Sequence, residues 1–273
     1  MARRALTGAA IVSGGASGLG AATAEALIAE GVAVLLADVN DDVGTATAER
    51  LGPLATFRRT DVTDPDDVQV AVNEAAALHE DGLRYSVACA GIGVVGRILS
   101  KRGPHDPGAF RKTIEVNLLG TFHLLLAAAQ AMVENEPIDG ERGMHVGTAS
   151  VAAYDGQLGQ VAYSASKGGI VGMTLPAARD LAQHGIRVNA IAPGIFDTPM
   201  VGGLPDAARE SLAKAMPFPQ RLGLPEEYAQ LVVDLAQNGY INAETIRLDA
   251  AGSCSTASGR SGTARRCRGA ARR

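Results

Sequence analysis

Short blocks of apolar residues recur along this chain, and between them lie longer stretches whose apolar positions return every three to four residues. The blocks read as strands and the stretches as helices. Strands are predicted to end near Ser13, Ala37, Thr60, Ala90, Ala149, Ile191 and Leu248. Strands and helices that alternate in this way predict an α/β protein, a seven-stranded doubly wound parallel sheet with helices on both faces. Ligands of such a sheet collect at the carboxyl ends of its strands, where Ser13, Asp38, Asp61, Ala90, Ser150 and Pro193 all fall. Two helices, about Arg111 to Glu134 and Val161 to His184, are apolar on more than one face. Helices of that kind need a second partner, so a homodimer or homotetramer is expected.

The first strand, turn, helix and strand carry the first candidate chemistry. Gly14, Gly18 and Gly20 follow the spacing GxxxGxG between an apolar block and an alanine-rich helix. Each permits a close approach that a Cβ would block, so the helix N-terminus can meet a pyrophosphate. Asp38 closes the second strand, where a carboxylate accepts hydrogen bonds from both adenosine ribose hydroxyls and repels a 2′-phosphate. NAD is therefore expected over NADP, and no Arg or Lys stands at Ser17, Ala37 or Val39 to oppose this. The competing reading is that Asp38 caps the helix beginning at Asp41.

A second constellation lies further on. Ser150 stands thirteen residues before Tyr163, and Lys167 follows four residues later. In a helix Tyr163 and Lys167 share a face at roughly 6 Å. The ammonium is expected to pull the phenol's pKa down from near 10, making Tyr163 a proton shuttle, while Ser150 holds a substrate oxygen beside it. That arrangement suits an alcohol and ketone pair. The plainer alternative is a solvated polar pair on an amphipathic helix.

With these residues the chain resembles the short-chain dehydrogenase/reductase family over about residues 7 to 250, which implies a single-domain Rossmann fold. TDVTD around Asp61 and Val62, CAG at Cys89 to Gly91, VNLLGTF around Asn117 and PGIFDT from Pro193 to Thr198 carry the likeness further. The resemblance implies Asn117, Ser150, Tyr163 and Lys167 as a catalytic tetrad, with Asn117 holding a water that links Lys167 to solvent. It implies cofactor contacts at Ser13, Gly14, Ser17, Gly18, Leu19 and Gly20 around the first turn. Asp38, Asp61, Val62, Cys89, Ala90 and Gly91 would hold the adenosine half and the chain beneath it. Tyr163, Lys167, Pro193, Gly194 and Thr198 would flank the nicotinamide, with Thr198 on its carboxamide. Departures are Ser13 for the usual threonine, Ala88 and Cys89 where many members have two asparagines, and Gly147 where close relatives often have asparagine.

Within the family the resemblance narrows to the type II 3-hydroxyacyl-CoA dehydrogenases, which also act on 2-methyl-3-hydroxybutyryl-CoA and, in some members, hydroxysteroids. It rests on TASVAAYDGQLGQVAYSASKGGIVGMTLPAARDLA, PFPQRLGLPEEYAQLV and the combination of NEPIDGERG with ETIRLD. An acyl-CoA or other secondary alcohol is the implied substrate. Arg97, Lys101 and Arg102 in the long Val94 to Phe110 segment either meet phosphates of a CoA handle or form a solvated loop. Two neighbouring activities stay open. A 3-oxoacyl carrier-protein reductase usually prefers NADPH, against which Asp38 weighs, and a hydroxysteroid dehydrogenase would differ mainly in loops. A catalytically idle nucleotide-binding scaffold is the reading from another class.

Composition narrows the picture further. At 273 residues and 47% hydrophobic, the chain can bury one substantial core. The five histidines show no ligand spacing, so no metal is expected. No apolar run suggests a membrane span, the first strand begins too early for a signal peptide, and a cytoplasmic protein is expected. Residues 1–252 form the expected NAD-binding domain. Residues 253–273 break the pattern with six arginines, no acid and two of the three cysteines. Removing those six charges from the net of −4 leaves −10 for residues 1–252. The tail is expected to be disordered and passive rather than a nucleic-acid arm.

Overall fold

In the computed structural model, residues 4–101, 103–203 and 205–252 are described, so the basic tail and Arg102 lie outside the described residues. The chain alternates β1 (Ala9–Ser13), α1 (Gly18–Ala29), β2 (Ala33–Asp38), α2 (Asp41–Leu51), β3 (Ala55–Arg59), α3 (Pro65–Ala76) and β4 (Leu83–Ala88). An antiparallel pair, β5 (Leu99–Ser100) and β6 (Gly103–Pro104), precedes α4 (Pro107–Ile114), a π-helical turn over Glu115–Leu119, and α5 (Gly120–Met132). β7 (Gly143–Thr148), α6 (Val161–Leu181), β8 (Ile186–Pro193), α7 (Pro199–Gly202), α8 (Asp206–Lys214), α9 (Pro225–Gln237) and β9 (Thr245–Leu248) complete it.

Seven strands form one parallel sheet in the order β3-β2-β1-β4-β7-β8-β9. Every residue of β1, β4, β7 and β8 is buried. Helices cover both faces of those strands, which is why their sequences are apolar blocks rather than alternating patterns. On one face Leu27 of α1 and Tyr228 and Val232 of α9 pack with Val34, Leu36 and Val146. On the other, Val72 of α3 and Leu124, Ala128 and Met132 of α5 pack with Ile11 and Leu35. Each large aliphatic side chain so buried stabilises the fold by about 1.5–3 kcal/mol. The observed strand ends fall within two residues of those predicted.

Local chemistry sets where several helices begin. The Asn40, Asp64 and Asp106 side chains accept first-turn N–H groups of α2, α3 and α4, and proline occupies the opening of the latter two. Asn40 rather than Asp38 therefore caps α2, which removes the capping alternative for Asp38. The predicted Arg111 to Glu134 helix starts earlier, at Pro107, and takes an extra residue into its ladder at Glu115–Leu119. The continuous helix Pro107–Met132 is long and apolar enough to cross a membrane by length and composition. Here Leu124, Leu125, Ala127, Ala128 and Met132 are buried in the protein core.

Candidate active site

The carboxyl ends of β1, β2, β4, β7 and β8 converge on one edge of the sheet, and the glycine turn after β1 opens it. Gly14 has a left-handed φ of 66°, and a Cβ there would lie 2.7 Å from the Ala90 nitrogen. A Cβ on Gly20 would collide with the Gly14 carbonyl oxygen, so α1 can start this close to β1 only without one. Ser17 is the exposed N-cap of α1 and spends no side-chain hydrogen bond on capping. Leu19 turns the other way and packs on the core. Such a cradle, walled by main chain and free of side chains, fits a diphosphate at a helix N-terminus.

Asp38 reaches back to this turn. Its Oδ2 accepts the Ala16 N–H at 3.2 Å and its Oδ1 accepts the Asn40 N–H at 3.1 Å. The carboxylate thus stands half-buried beside the glycine turn, with acceptor capacity remaining on both oxygens. Asp61 forms a local turn by accepting the Thr63 N–H and hydroxyl, and these bonds hold its carboxyl below the usual range. Val62 is buried, and Gly120 of α5 packs against it so closely that a Cβ would lie 2.6 Å from Val62 Cγ2.

Ser150 follows β7 and opens a short 3-10 turn, its Oγ accepting the Ala152 N–H at 3.1 Å. The Ser150 hydroxyl is also hydrogen-bonded to the Tyr163 phenol. One helical turn on, Lys167 Nζ lies 5.7 Å from the Tyr163 ring centroid and donates to the Thr148 carbonyl at 2.6 Å. Serine, tyrosine and lysine therefore do meet, as their spacing predicts.

The electrostatics differ from the sequence-based expectation. Burial pushes the Tyr163 phenol up, opposed only in part by the Ser150 hydrogen bond. Lys167 is itself buried, which brings its ammonium down to about 8. Desolvation disfavours both charged forms, and it outweighs the pull of the ammonium that the helical spacing suggests.

Asn117 packs beside these residues, against Ser166 of α6. It sits in the π-helical turn, fully buried, and its side chain is engaged by the chain after β4. Oδ1 accepts the Ile92 N–H at 2.8 Å, while Nδ2 donates to the Ile92 carbonyl and to Ser166 Oγ, each at 3.0 Å. The amide is thus committed to fixing the Gly91–Ile92 backbone. A Cβ on Gly91 would lie 3.3 Å from Asn117 Oδ1 and 3.6 Å from Lys167 Nζ.

The remaining predicted residues divide between the site and its floor. Ser13 Oγ accepts the Ala90 N–H at 3.3 Å, tying the ends of β1 and β4 together. Cys89 points away from the cleft toward Thr148 and Tyr228, and burial pushes its thiol up, leaving it a poor nucleophile. Gly194, following Pro193, donates to the Leu248 carbonyl at 2.9 Å. Thr198 caps α7 and approaches the glycine turn, where a Cβ on Gly18 would lie 3.5 Å from the Thr198 Cβ. Among the described residues, no group of three His, Cys, Asp or Glu is placed to hold a metal ion.

Residues 94–110 were expected as a long loop. They instead contain the β5–β6 hairpin, which leans on the turn before α6 through a Gly96 N–H to Gly159 carbonyl bond of 2.8 Å. Arg97 and Lys101 are exposed there. The sequence reading also missed Thr148 as the acceptor for Lys167 and Tyr228 beneath it. Their signal is only the hydroxyl two residues before Ser150 and an isolated tyrosine in α9.

A diphosphate cradle at a sheet edge, with a carboxylate for a ribose and a phenol, hydroxyl and ammonium beside it, defines a nucleotide-dependent oxidoreductase of alcohols and carbonyls. A family model described as short chain dehydrogenase matches residues 8–209. The chain belongs to that family. It is 50% identical over 247 residues to a 3-hydroxyacyl-CoA dehydrogenase type-2 of Bos taurus, covering 89% of this chain and 94% of that protein. The Homo sapiens protein of the same name is 49% identical over 246 residues, with the same coverage. A crystal structure of 3-hydroxyacyl-CoA dehydrogenase type-2 from Mycobacterium avium superposes with a TM-score of 0.85 at 46% identity, covering 90% of this chain and 96% of that one.

Proposed function

We propose that this protein is an NAD-dependent dehydrogenase that interconverts 3-hydroxyacyl-CoA and 3-oxoacyl-CoA, with 2-methyl-branched substrates included. The observation that carries the reaction is the hydroxyl, phenol and ammonium of Ser150, Tyr163 and Lys167 held together beside the Asp38 cradle. The acyl-CoA class comes from relatives that share half of all residues over nearly their whole length. Gly14, Gly18 and Gly20 would admit the pyrophosphate, Asp38 the adenosine ribose, and Thr198 the carboxamide. NAD, when bound, supplies the hydride acceptor and donor.

The chain's own groups do the rest. Ser150 orients the substrate oxygen. Tyr163 takes the hydroxyl proton in oxidation and returns it in reduction. Lys167 places a positive charge next to the phenol and favours its ionised form during transfer. Asn117 acts as a positioning residue by fixing the peptide at Ile92.

Self-association belongs to the same reading. Phe122 and Leu126 of α5 and Leu175 of α6 are 46%, 48% and 42% exposed, an apolar face suited to a second copy.

Initial rates with acetoacetyl-CoA, run with NADH and NADPH in parallel at neutral pH, test the proposal. Rapid oxidation of NADH alone is expected. No turnover with either cofactor, despite NADH binding, would remove the acyl-CoA reading.

A further inference from the structure

Beneath Lys167 lies a polar cluster that the reaction as described does not use. Thr148 Oγ1 lies 2.7 Å from the Tyr228 hydroxyl and donates to Cys89 Sγ at 3.6 Å, and Cys89 Sγ donates to the Tyr228 hydroxyl at 3.8 Å. Tyr228 and Thr148 are buried, and the Cys89 thiol is enclosed with them. A hydroxyl, a thiol and a phenol can each donate once and accept. The directions therefore close: Tyr228 donates to Thr148, Thr148 to Cys89, and Cys89 to Tyr228.

The ring joins three elements: the chain just after β4, the end of β7, and α9. Its one link to the reaction is short. Thr148, whose side chain is locked in the ring, offers its carbonyl to Lys167 Nζ at 2.6 Å.

We infer that the Thr148–Cys89–Tyr228 ring is a positioning device for Lys167, and that Tyr228, on a helix remote in sequence from the active-site motifs, is a positioning residue of the reaction. It acts by fixing the Thr148 peptide, so that the carbonyl stays aimed at the ammonium and Ser150, two residues on, stays aimed at Tyr163. A buried cluster whose members satisfy one another has a single arrangement, and removing one member loosens the peptide that holds the lysine. The titratable groups around Lys167 are Tyr163 on its own helix, Cys89 just after β4 and, through Thr148, Tyr228 from α9.

The inference rests on the proposed reaction only for its kinetic consequence, and its test has a separate readout. Lys167 is titrated by NMR in full-length protein carrying 13C at lysine Cε, in the parent, Tyr228→Phe, Thr148→Val and the double variant. A hydrogen bond to the ammonium favours the charged form, so loosening its acceptor lowers the lysine midpoint. Each single variant is expected to lower it by about half a unit or more, and the double variant to add nothing, because both open one ring. In acetoacetyl-CoA reduction kcat is expected to fall while KM for NADH stays unchanged. A Lys167 midpoint equal to the parent's in folded variants would overturn the inference. Should Tyr228→Phe fail to fold, Thr148→Val alone carries the same decision. An inactive parent would count against the proposed reaction, yet the titration would still decide whether the ring sets the lysine.

Discussion

A phenol and an ammonium in one dry pocket each lose the water that would favour their charged forms. Burial lifts Tyr163 above its ordinary value and brings Lys167 down to about 8. Near neutral pH the pair is therefore TyrOH beside LysNH3+, a site ready to give a proton to a forming alkoxide. Ketone reduction should run at pH 7 without a rise toward alkali. Alcohol oxidation needs the phenolate, whose population on the acid side of its midpoint grows about tenfold per unit, so oxidation should climb steeply from pH 7 to 9. Measuring kcat in both directions across this range checks the sign, and a flat oxidation profile would reassign the proton acceptor. Tyr163→Phe should lower turnover by about 10²–10⁴-fold while NADH still binds, as read by nucleotide fluorescence.

Elements bring these residues within reach of each other, and glycine decides how closely they approach. A methyl on Gly20 would occupy the place of the Gly14 carbonyl. Gly20→Ala must push α1 away from the end of β1, which costs about 1–3 kcal/mol of stability by overpacking. It should weaken NADH binding at least about tenfold, since α1 carries the first-turn N–H groups of the cradle. Urea unfolding together with an NADH binding titration would separate the two effects, and unchanged affinity would take the helix N-terminus out of the cofactor reading. This part of the molecule is legible in the sequence because close approach requires glycine and buried parallel strands require unbroken apolar blocks. The π-helical turn at Glu115–Leu119 is not legible. Its extra residue is stabilised by tertiary partners, the Ile92 peptide on Asn117 and Val62 against Gly120, and no periodicity in the segment marks it. The same limit hid the direction of the Tyr163 shift, because spacing reveals which charge is near and not how dry the site is.

At the scale of the whole molecule, acid should act through one residue near the middle of the sheet. His145 of β7 is 1% exposed, with Nδ1 3.0 Å from Ser86 Oγ and Nε2 buried without a protein partner among the described residues. Burial lowers it from 6.5 to about 3. Below pH 6.5 the unfolded chain binds a proton at this position that the folded chain refuses, so stability falls as pH falls until about pH 3. From pH 7.5 to 5 the loss from this residue is about 2 kcal/mol. Carboxylates confuse this window little: Glu227, held by Arg221, lies at about 2, and Asp61 is also lowered, so both titrate in stronger acid. Urea unfolding at pH 7.5 and at pH 5 should show that loss in the parent. His145→Leu, whatever its absolute stability, should lose about 2 kcal/mol less across the same interval, since the apolar side chain binds no proton in either state. Equal losses in the two proteins would mean that the folded protein accepts a proton at His145, which requires the sheet to open there or the imidazolium to find a partner.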